Sequence, residues 1–298
     1  MDISIVIVSY NIKEYIISCI ESIYKHSKSN YNFEIVIVDN NSKDGTINSL
    51  INDFPKISLI KNKYNAGFSV AANQGVKICQ GEYILILNPD TLFVEDTLGK
   101  LINVAKNQKK LGAIGPALIN HNGVFQQSVW RNPSIINTLL SIFHLDLLNY
   151  KKNYKDKKFI NISSVETISG AALFLKREIF NKLNGFNEKL FWMEDIDFCF
   201  RINHMGYKTY YLPSAKIIHY SGKSAEKNYK VAISNQLLSK VKFFRIHHSK
   251  LSASIILFSI LFLSLIKSIL IFFISPFSKL YRKKMIAYLY TIRSAFKS

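Results

Sequence analysis

Ile3-Ser4-Ile5-Val6-Ile7-Val8-Ser9-Tyr10-Asn11 is the stretch on which the fold turns. Its apolar part is short, β-branched and shows no polar alternation, which suits a strand covered on both faces, as in a parallel sheet. It stops abruptly at Ser9-Tyr10-Asn11. An amphipathic stretch follows, with Tyr15, Ile16, Cys19, Ile20 and Ile23 on one helical face. Glu34 to Val38 reads as a second strand, broken by Asp39-Asn40-Asn41-Ser42 and Asp44-Gly45. Ile57 to Ile60 is a weaker third strand, Phe68 to Cys79 a helix, and Tyr83 to Leu87 a fourth strand. Strand and helix alternate about every 25 residues, which predicts an α/β fold with a doubly wound, mostly parallel sheet. Such sheets bind ligands beyond the carboxyl ends of their strands. The polar clusters Ser9-Tyr10-Asn11, Asp39-Asn40-Asn41 and Asn88-Pro89-Asp90 all fall there.

The second half is less regular. Ile114 to Ile119 and Val124 to Ser128 read as strands, Pro133 to Phe143 as a helix, and Lys151 to Lys158 as a mobile, lysine-rich loop. Thr167 to Leu175 is strand-like, with Gly170-Ala171-Ala172 permitting close backbone approach. A turn at Gly185-Phe186-Asn187-Glu188 leads to a helix opening at Glu194-Asp195.

At 298 residues, 48% of them hydrophobic, the chain has enough apolar material for one large α/β domain plus an appendage. Its net charge of +19 is concentrated at one end: from Lys227 onward there are 13 Lys or Arg and no Asp or Glu, leaving +6 (19 − 13) for residues 1–226. A basic tail around an apolar run points to anionic lipid, and argues against nucleic acid, which calls for aromatic-studded basic grooves. Cys19, Cys79 and Cys199 form no metal-type spacing and read as buried free thiols. Met1-Asp2-Ile3 lacks the charged start of a secretory signal, so the first domain is expected to stay in the cytoplasm.

Asn88-Pro89-Asp90 follows an apolar strand, where a fixed carboxylate could hold Mg²⁺ or Mn²⁺ against a diphosphate; the same tripeptide is also good turn chemistry. Glu194-Asp195-Ile196-Asp197 puts acids at a helix start, which the helix dipole favours by itself. Asp197 and Arg201 stand i,i+4 and suit a structural ion pair, whereas a carboxylate near Phe191, Trp192 and Met193 would have the raised pKa of a general base. His219 ends another apolar strand, as a structural residue or a ligand, and Ser221-Gly222-Lys223-Ser224 behind it could touch a phosphate.

In order along the chain, these pieces resemble the glycosyltransferase family 2 proteins with the GT-A fold. The resemblance covers residues 2 to about 224 and rests on Val6 to Asn11, Val36 to Ser42 with Asp44-Gly45-Thr46, Asn65-Ala66-Gly67-Phe68 with Ala72-Asn73, Leu87 to Asp90, Gly185 to Glu188, Phe191 to Arg201, and His219 to Gly222. Arg131-Asn132-Pro133-Ser134 and the Glu-Asp-Ile-Asp helix look most like the rhamnosyltransferase-like branch, which builds surface polysaccharides. The resemblance implies nucleobase and ribose contacts at Ser9, Tyr10 and Asp39, with Asn65 and Gly67 near the nucleotide. It implies a divalent cation (Mn²⁺ or Mg²⁺) at Asp90 with His219 close by, and Asn88 standing where the metal motif's first acid is expected. Asp195, beside Glu194, matches the catalytic base. The implied activity is inverting transfer of a sugar from a nucleoside-diphosphate sugar to a saccharide or polyprenyl-linked acceptor. No Trp follows Trp192, so the Gln-x-x-Arg-Trp motif of processive synthases is missing and single addition is expected. A degenerate nucleotide-binding domain without turnover is the alternative. A nucleotidyltransferase would need a Gly-rich basic loop after the first strand, which Ser9 to Lys13 does not supply.

Residues 1–225 are therefore expected to form the GT-A catalytic domain, 226–250 a basic helical linker, and 251–298 a helical membrane-association segment on the cytoplasmic face of the cell membrane. Leu251 to Phe277 carries a single charge, Lys267, and is long enough to span a bilayer. Basic residues on both sides, Arg245 and Lys250 before and Lys279 to Lys284 after, favour an in-plane anchor equally well. Tyr288 to Phe296 reads as a further amphipathic surface helix. A buried hairpin in a homodimer is the competing reading of this tail.

Overall fold

β1 (Ile3–Ser9) is buried along its whole length. β2 (Phe33–Asp39), β3 (Ser58–Lys61) and β4 (Tyr83–Leu87) lie parallel with it in the order β3-β2-β1-β4. The absence of polar alternation has a direct cause, because both faces are covered. α1 (Lys13–His26) buries Ile16, Cys19, Ile20 and Ile23 in one cluster with Ile3, Ile5 and Ile7. On the other face α3 (Phe68–Ile78) comes so close that a Cβ on Gly75 would lie 2.6 Å from Val6 Cγ1. Each fully buried Ile here contributes roughly 1.5–3 kcal/mol. α2 (Thr46–Asp53) connects β2 to β3.

A computed structural model of the chain describes residues 1–28, 30–145, 154, 159–220 and 229–296. It divides into two compact units. The first comprises Met1–Asn132, Lys157–Glu188 and Glu194–Ser221; the second comprises Pro133–Asp156, Lys189–Met193 and Gly222–Ser298.

In the first unit the sheet continues beyond β4. β5 (Thr91–Phe93), α4 (Thr97–Asn107) and β6 (Leu111–Ile119) are followed by β7 (Val129–Trp130), β8 (Ser163–Val165), β9 (Thr167–Ile168) and β10 (Ala172–Lys176). α6 (Arg177–Lys182), α7 (Glu194–His204) and β11 (Lys208–His219) complete it. β10 runs antiparallel to β4 and β6, β11 runs parallel to β6, and β11 also pairs antiparallel with β5 and β8. The expected mostly parallel sheet is thus mixed at its later strands.

Two local expectations need correction. Val124 to Ser128 is not a strand: the chain makes one bridge, Phe125 to Ile119, then turns away with Val124 and Phe125 60% and 58% exposed. The Asn120 carboxamide, accepting from the Asn122 and Val124 amides, tightens the turn that precedes it. Thr167 to Leu175 is two strands, not one: β9 pairs with β7, β10 joins the main sheet, and Gly170 lies in the break between them.

In the second unit, α5 (Ile135–Ile142) packs on α9 (Lys250–Phe272), while α8 (Tyr229–His247), α9 and α10 (Lys279–Ala295) pack on one another. The lysine-rich loop expected at 151–158, Tyr154 apart, and the polar loop at 221–224 lie outside the described residues. Cys19, Cys79 and Cys199 are buried and free, and loss of water pushes their thiols up to about 12, 11 and 12.

Candidate active site

Ser9 and Asp39 are facing residues on the last rung of the β1–β2 ladder, and both are fully buried. Asp39 Oδ2 accepts from the Ser42 amide at 2.8 Å. Three buried side-chain oxygens lack a partner among the described residues, and two of them are Ser9 Oγ and Asp39 Oδ1. Leaving a buried hydroxyl or carboxylate oxygen unpaired is costly, so one of each on the same rung marks where a polar ligand belongs. The surrounding loops are laced together: the Asn11 amide donates to Ser42 Oγ, Lys43 N–H to Asn11 Oδ1, and Lys13 N–H to Asp44 Oδ2. Tyr10 is 43% exposed beside this rung. Asn40 donates to the Gly67 carbonyl and Gly67 N–H to Asn65 Oδ1, so the Asn65-Ala66-Gly67 turn is tied to the same strand ends.

Asp90 is buried just past β4. β5 starts at the next residue, Thr91, which pairs with His219 at the end of β11. This register brings His219 Nε2 to 3.5 Å from Asp90 Oδ1. Gln126 fixes the ring: its Nε2 donates to the His219 carbonyl at 2.8 Å, which turns its Oε1 toward His219 Nδ1 at 3.2 Å. An acceptor there puts the proton on Nδ1 and leaves the Nε2 lone pair facing the Asp90 side. An imidazole nitrogen and a carboxylate oxygen side by side are a cation's donor set, oriented as metal-binding histidines usually are. Among the described residues no third His, Cys, Asp or Glu joins them. That fits a hard divalent cation of the Mg²⁺ or Mn²⁺ kind, which keeps waters and shares phosphate oxygens.

Asp195 stands in the first turn of α7. Its Oδ2 accepts from the Gly170 amide and its Oδ1 from the Ile196 amide, both at 2.8 Å. The next residue, Ala171, accepts through its carbonyl from the Asn88 amide at 2.9 Å. Asp195 is therefore joined through Gly170-Ala171 to the Asn88-Pro89-Asp90 turn, although more than 100 residues separate them in sequence. Loss of water raises the Asp195 pKa, and the two amides oppose that shift without cancelling it. Asp197, two residues on, has a different fate. It is fully buried and paired with Arg201 at 2.7 Å, and Arg201 also caps the Leu183 and Gly185 carbonyls. Glu194 begins the helix and is half-buried. Two contributors escaped the sequence reading: Gln126, on an irregular segment, and the amide of Gly170, whose smallness alone was legible.

The Gly185-Phe186-Asn187-Glu188 turn is structural. Asn73 of α3 accepts from the Phe186 amide and donates to the Phe186 carbonyl and Glu188 Oε1. Gly185 has φ +70°, and a Cβ there would sit 2.4 Å from Asn73 Oδ1.

A family profile described as "Glycosyl transferase family 2" matches residues 4–183, more than half of the chain. The chain belongs to glycosyltransferase family 2. A second profile, described as "N-terminal domain of galactosyltransferase", matches residues 156–223 of the enzyme. The transferase is 24% identical over 216 residues to the N-acetylglucosaminyl-diphospho-decaprenol L-rhamnosyltransferase of Mycobacterium tuberculosis, a match covering 65% of this chain and 68% of that one. Among solved structures it resembles the mannosyltransferase PcManGT of Pyrobaculum calidifontis in complex with GDP-Man and Mn²⁺, with TM-score 0.58, 19% identity, and coverage of 99% of this chain and 86% of that chain. It also resembles GalNAc-T7 with UDP, GalNAc and Mn²⁺, with TM-score 0.58, 15% identity, and coverage of 82% of this chain and 50% of that chain. At these identities the likeness shows a shared fold: the glycosyltransferase adopts the GT-A fold with an apolar helix near its C-terminus.

Proposed function

We propose that this glycosyltransferase moves one sugar at a time, with inversion, from a nucleoside-diphosphate sugar to a lipid-linked saccharide acceptor in cell-surface polysaccharide assembly. The observation that carries this reading is the tie between Asp195 and the Asn88-Pro89-Asp90 turn through Gly170-Ala171. It supports a single pocket with a base on one side and a diphosphate site on the other.

In this reading Ser9 and Asp39, with their unpaired oxygens, hold the nucleoside, Tyr10 covers it, and Asn65 and Gly67 shape the neighbouring turn. Asp90 and His219 hold a divalent cation, Mn²⁺ or Mg²⁺, with Asn88 alongside, and Gln126 keeps Nε2 of His219 available. When bound, the cation offsets negative charge on the departing diphosphate. Asp195 takes the proton of the acceptor hydroxyl as its oxygen bonds to the anomeric carbon, and the bond from that carbon to the diphosphate oxygen breaks with its electron pair on the leaving group. The raised pKa of Asp195 makes it a better base than an ordinary aspartate, and its two amide donors hold it in one orientation. Glu194 adds negative charge near the proton's destination.

The name of the mycobacterial relative supports a diphospho-polyprenol-linked acceptor and a deoxyhexose donor. PcManGT in complex with GDP-Man and Mn²⁺, and GalNAc-T7 with UDP, GalNAc and Mn²⁺, support a nucleotide-linked sugar donor used with a divalent cation. A polyprenyl-linked acceptor places the work at a membrane, and the basic C-terminal segment supports its cytoplasmic face. Residues 1–225 act as the catalytic domain, with 226–250 as linker and 251–298 as the membrane-associating part.

The test is transfer from UDP-, dTDP- and GDP-sugars with Mn²⁺ to a synthetic polyprenyl-diphosphate saccharide, with the product's anomeric configuration read by NMR. An inverted linkage and a single added residue support the proposal. Retention, repeated addition, or donor binding without turnover to any acceptor would overturn it.

A further inference from the structure

α9 is built inside out. Four of its five serines, Ser252, Ser259, Ser264 and Ser268, are no more than 8% exposed, and only Ala253, Ile256 and Ile260 are buried with them. The opposite side shows Ile255, Phe258, Phe262, Leu265, Ile269 and Phe272, spaced alternately by three and four residues and 39–70% exposed. That spacing makes one continuous stripe along a helix. A helix meeting water does the reverse, burying its large aliphatic residues and showing its serines. The stripe runs on through Phe273, Ile274 and Phe277, the last 88% exposed. At 1.5 Å per residue the stripe from Ile255 to Phe272 runs roughly 26 Å along the helix.

α8, α10 and α5 pack on α9, whose buried side carries the serines. α8 and α10 carry Lys230, Lys240, Lys242 and Arg245, and Lys279, Arg282, Lys283, Lys284 and Arg293. At its middle α9 turns Lys267 the same way: the ammonium group meets His144 Nε2 and lies over the Tyr288 ring, 5.3 Å from its centroid. Were α9 to cross a bilayer, its packed partners would carry several Lys and Arg into hydrocarbon, where each is expensive. A second copy of the chain is no better a partner. With no acidic residue after Glu226, two such basic faces brought together would repel with nothing to pair them.

We infer that α9 lies flat in the headgroup region of an anionic bilayer, its Phe, Leu and Ile stripe sunk into the acyl boundary and its serine side toward α8 and α10. A helix with one broad apolar face and basic neighbours sits at that depth, about 5–10 Å into the interface. This rests on the membrane location in the proposed function, and its test needs no turnover, so the two can fail separately.

Phe258→Cys, Leu265→Cys and Phe272→Cys are each labelled with a thiol-reactive fluorophore; the three native cysteines are buried and leave the introduced one to react. The full-length protein is mixed with vesicles of phosphatidylcholine and phosphatidylglycerol, and depth is read from quenching by lipids brominated at different carbons. Equal shallow depths at the three positions support the flat helix. A profile deepest at position 265, with 258 and 272 shallower, means a span and overturns it. So does failure of the unlabelled protein to float with these vesicles, or a dimer in solution that shields all three positions from quencher. Pure phosphatidylcholine should bind at least ~10-fold less protein, because several basic residues lose their lipid partners. Phe258→Glu with Leu265→Glu should lower binding to the mixed vesicles by a further ~10-fold or more while the unlabelled variant still turns over a water-soluble acceptor. Equal binding by that variant would count against the stripe as the contact.

Discussion

Gly170→Ala tests the coupling between the base and the strand ends with one methyl group. Positive φ is found at Gly45, Gly67, Gly123, Gly185 and Gly206 but not at Gly170, so alanine is admissible to the backbone and only its Cβ is new. That Cβ would lie 3.1 Å from Asp195 Cβ and 3.4 Å from Asp195 Oδ2. Comfortable carbon–carbon contact is about 3.5–4.0 Å, so the carboxylate side chain must retreat by about half an ångström or more. It has little freedom to do so with its backbone, because α7 is pinned through Arg201 to Asp197 and to the Leu183 and Gly185 carbonyls. The adjustment falls on the Asp195 side chain and on the 2.8 Å bond from the Gly170 amide. A displacement of about 1 Å in a reacting group costs on the order of 100-fold, so half that distance predicts about a 10-fold loss of kcat, or ~1.4 kcal/mol of barrier. Donor binding should stay within about two-fold, since the three atoms nearest the new methyl group all belong to Asp195 rather than to Ser9, Asp39 or Asp90. The assay is steady-state transfer with saturating donor, alongside calorimetric titration of the nucleoside diphosphate with Mn²⁺. An unchanged kcat in a folded variant would refute the assignment of Asp195, and a fall in donor affinity equal to the fall in kcat would relocate the effect to the nucleotide.

Other perturbations separate the remaining parts. Asp195→Asn should lower kcat by about 100-fold or more, as removal of a general base does, with nucleotide affinity retained; transfer at the wild-type rate would end that role. Because burial raises the Asp195 pKa and the ionised form is the active one, kcat should climb with pH through that raised value, placing the acid limb above the range of an exposed aspartate; a limb at the ordinary value of 3.8 would contradict the burial. Gln126→Leu should weaken Mn²⁺-dependent nucleotide binding by about 10-fold, read by electron paramagnetic resonance of free Mn²⁺, since it releases the His219 ring; undiminished affinity would remove Gln126 from the site. Gly185→Ala should destabilise folding by about 1–3 kcal/mol, seen in denaturant unfolding, since it combines positive φ with a clash on Asn73; a stability within about 0.5 kcal/mol of wild type would show the turn is slack.

The first four strands were legible because they are buried on both faces, and such strands announce themselves as short β-branched runs ending in polar residues. The ends fell within a residue or two of expectation: Phe33–Asp39 for 34–38, Ser58–Lys61 for 57–60, and Tyr83–Leu87 as read. The antiparallel strands were harder. Val124 to Ser128 has strand composition, but a strand needs a partner, and only Ile119 is offered one bridge. The small Gly170 predicts room for a close approach; that the visitor is the Asp195 carboxylate is a contact between segments 25 residues apart that periodicity does not encode. Gln126 left no trace in the sequence because its work, two bonds to one histidine, depends on the route of an irregular loop.

Composition alone could not rank the acids of Glu194-Asp195-Ile196-Asp197, and their surroundings do so on physical grounds. A proton acceptor must be able to change charge, so its ionised form cannot already be committed to a fixed cationic partner. Asp197 is so committed: it is fully buried, and protonating it would strand the Arg201 guanidinium, which also holds two carbonyls that close the Gly185 turn. Among the described residues Asp195 accepts only from amide N–H groups, which lower its pKa less than burial raises it, and either carboxylate oxygen retains a lone pair for an incoming hydroxyl proton. Replacing Asp197 with Asn should therefore lower thermal stability first, by leaving Arg201 without its charge partner, whereas replacing Asp195 should lower turnover first. A thermal shift measured beside kcat for the two variants distinguishes the roles. Loss of turnover in Asp197→Asn at full stability would mean that the acid buried against arginine is the one that reacts.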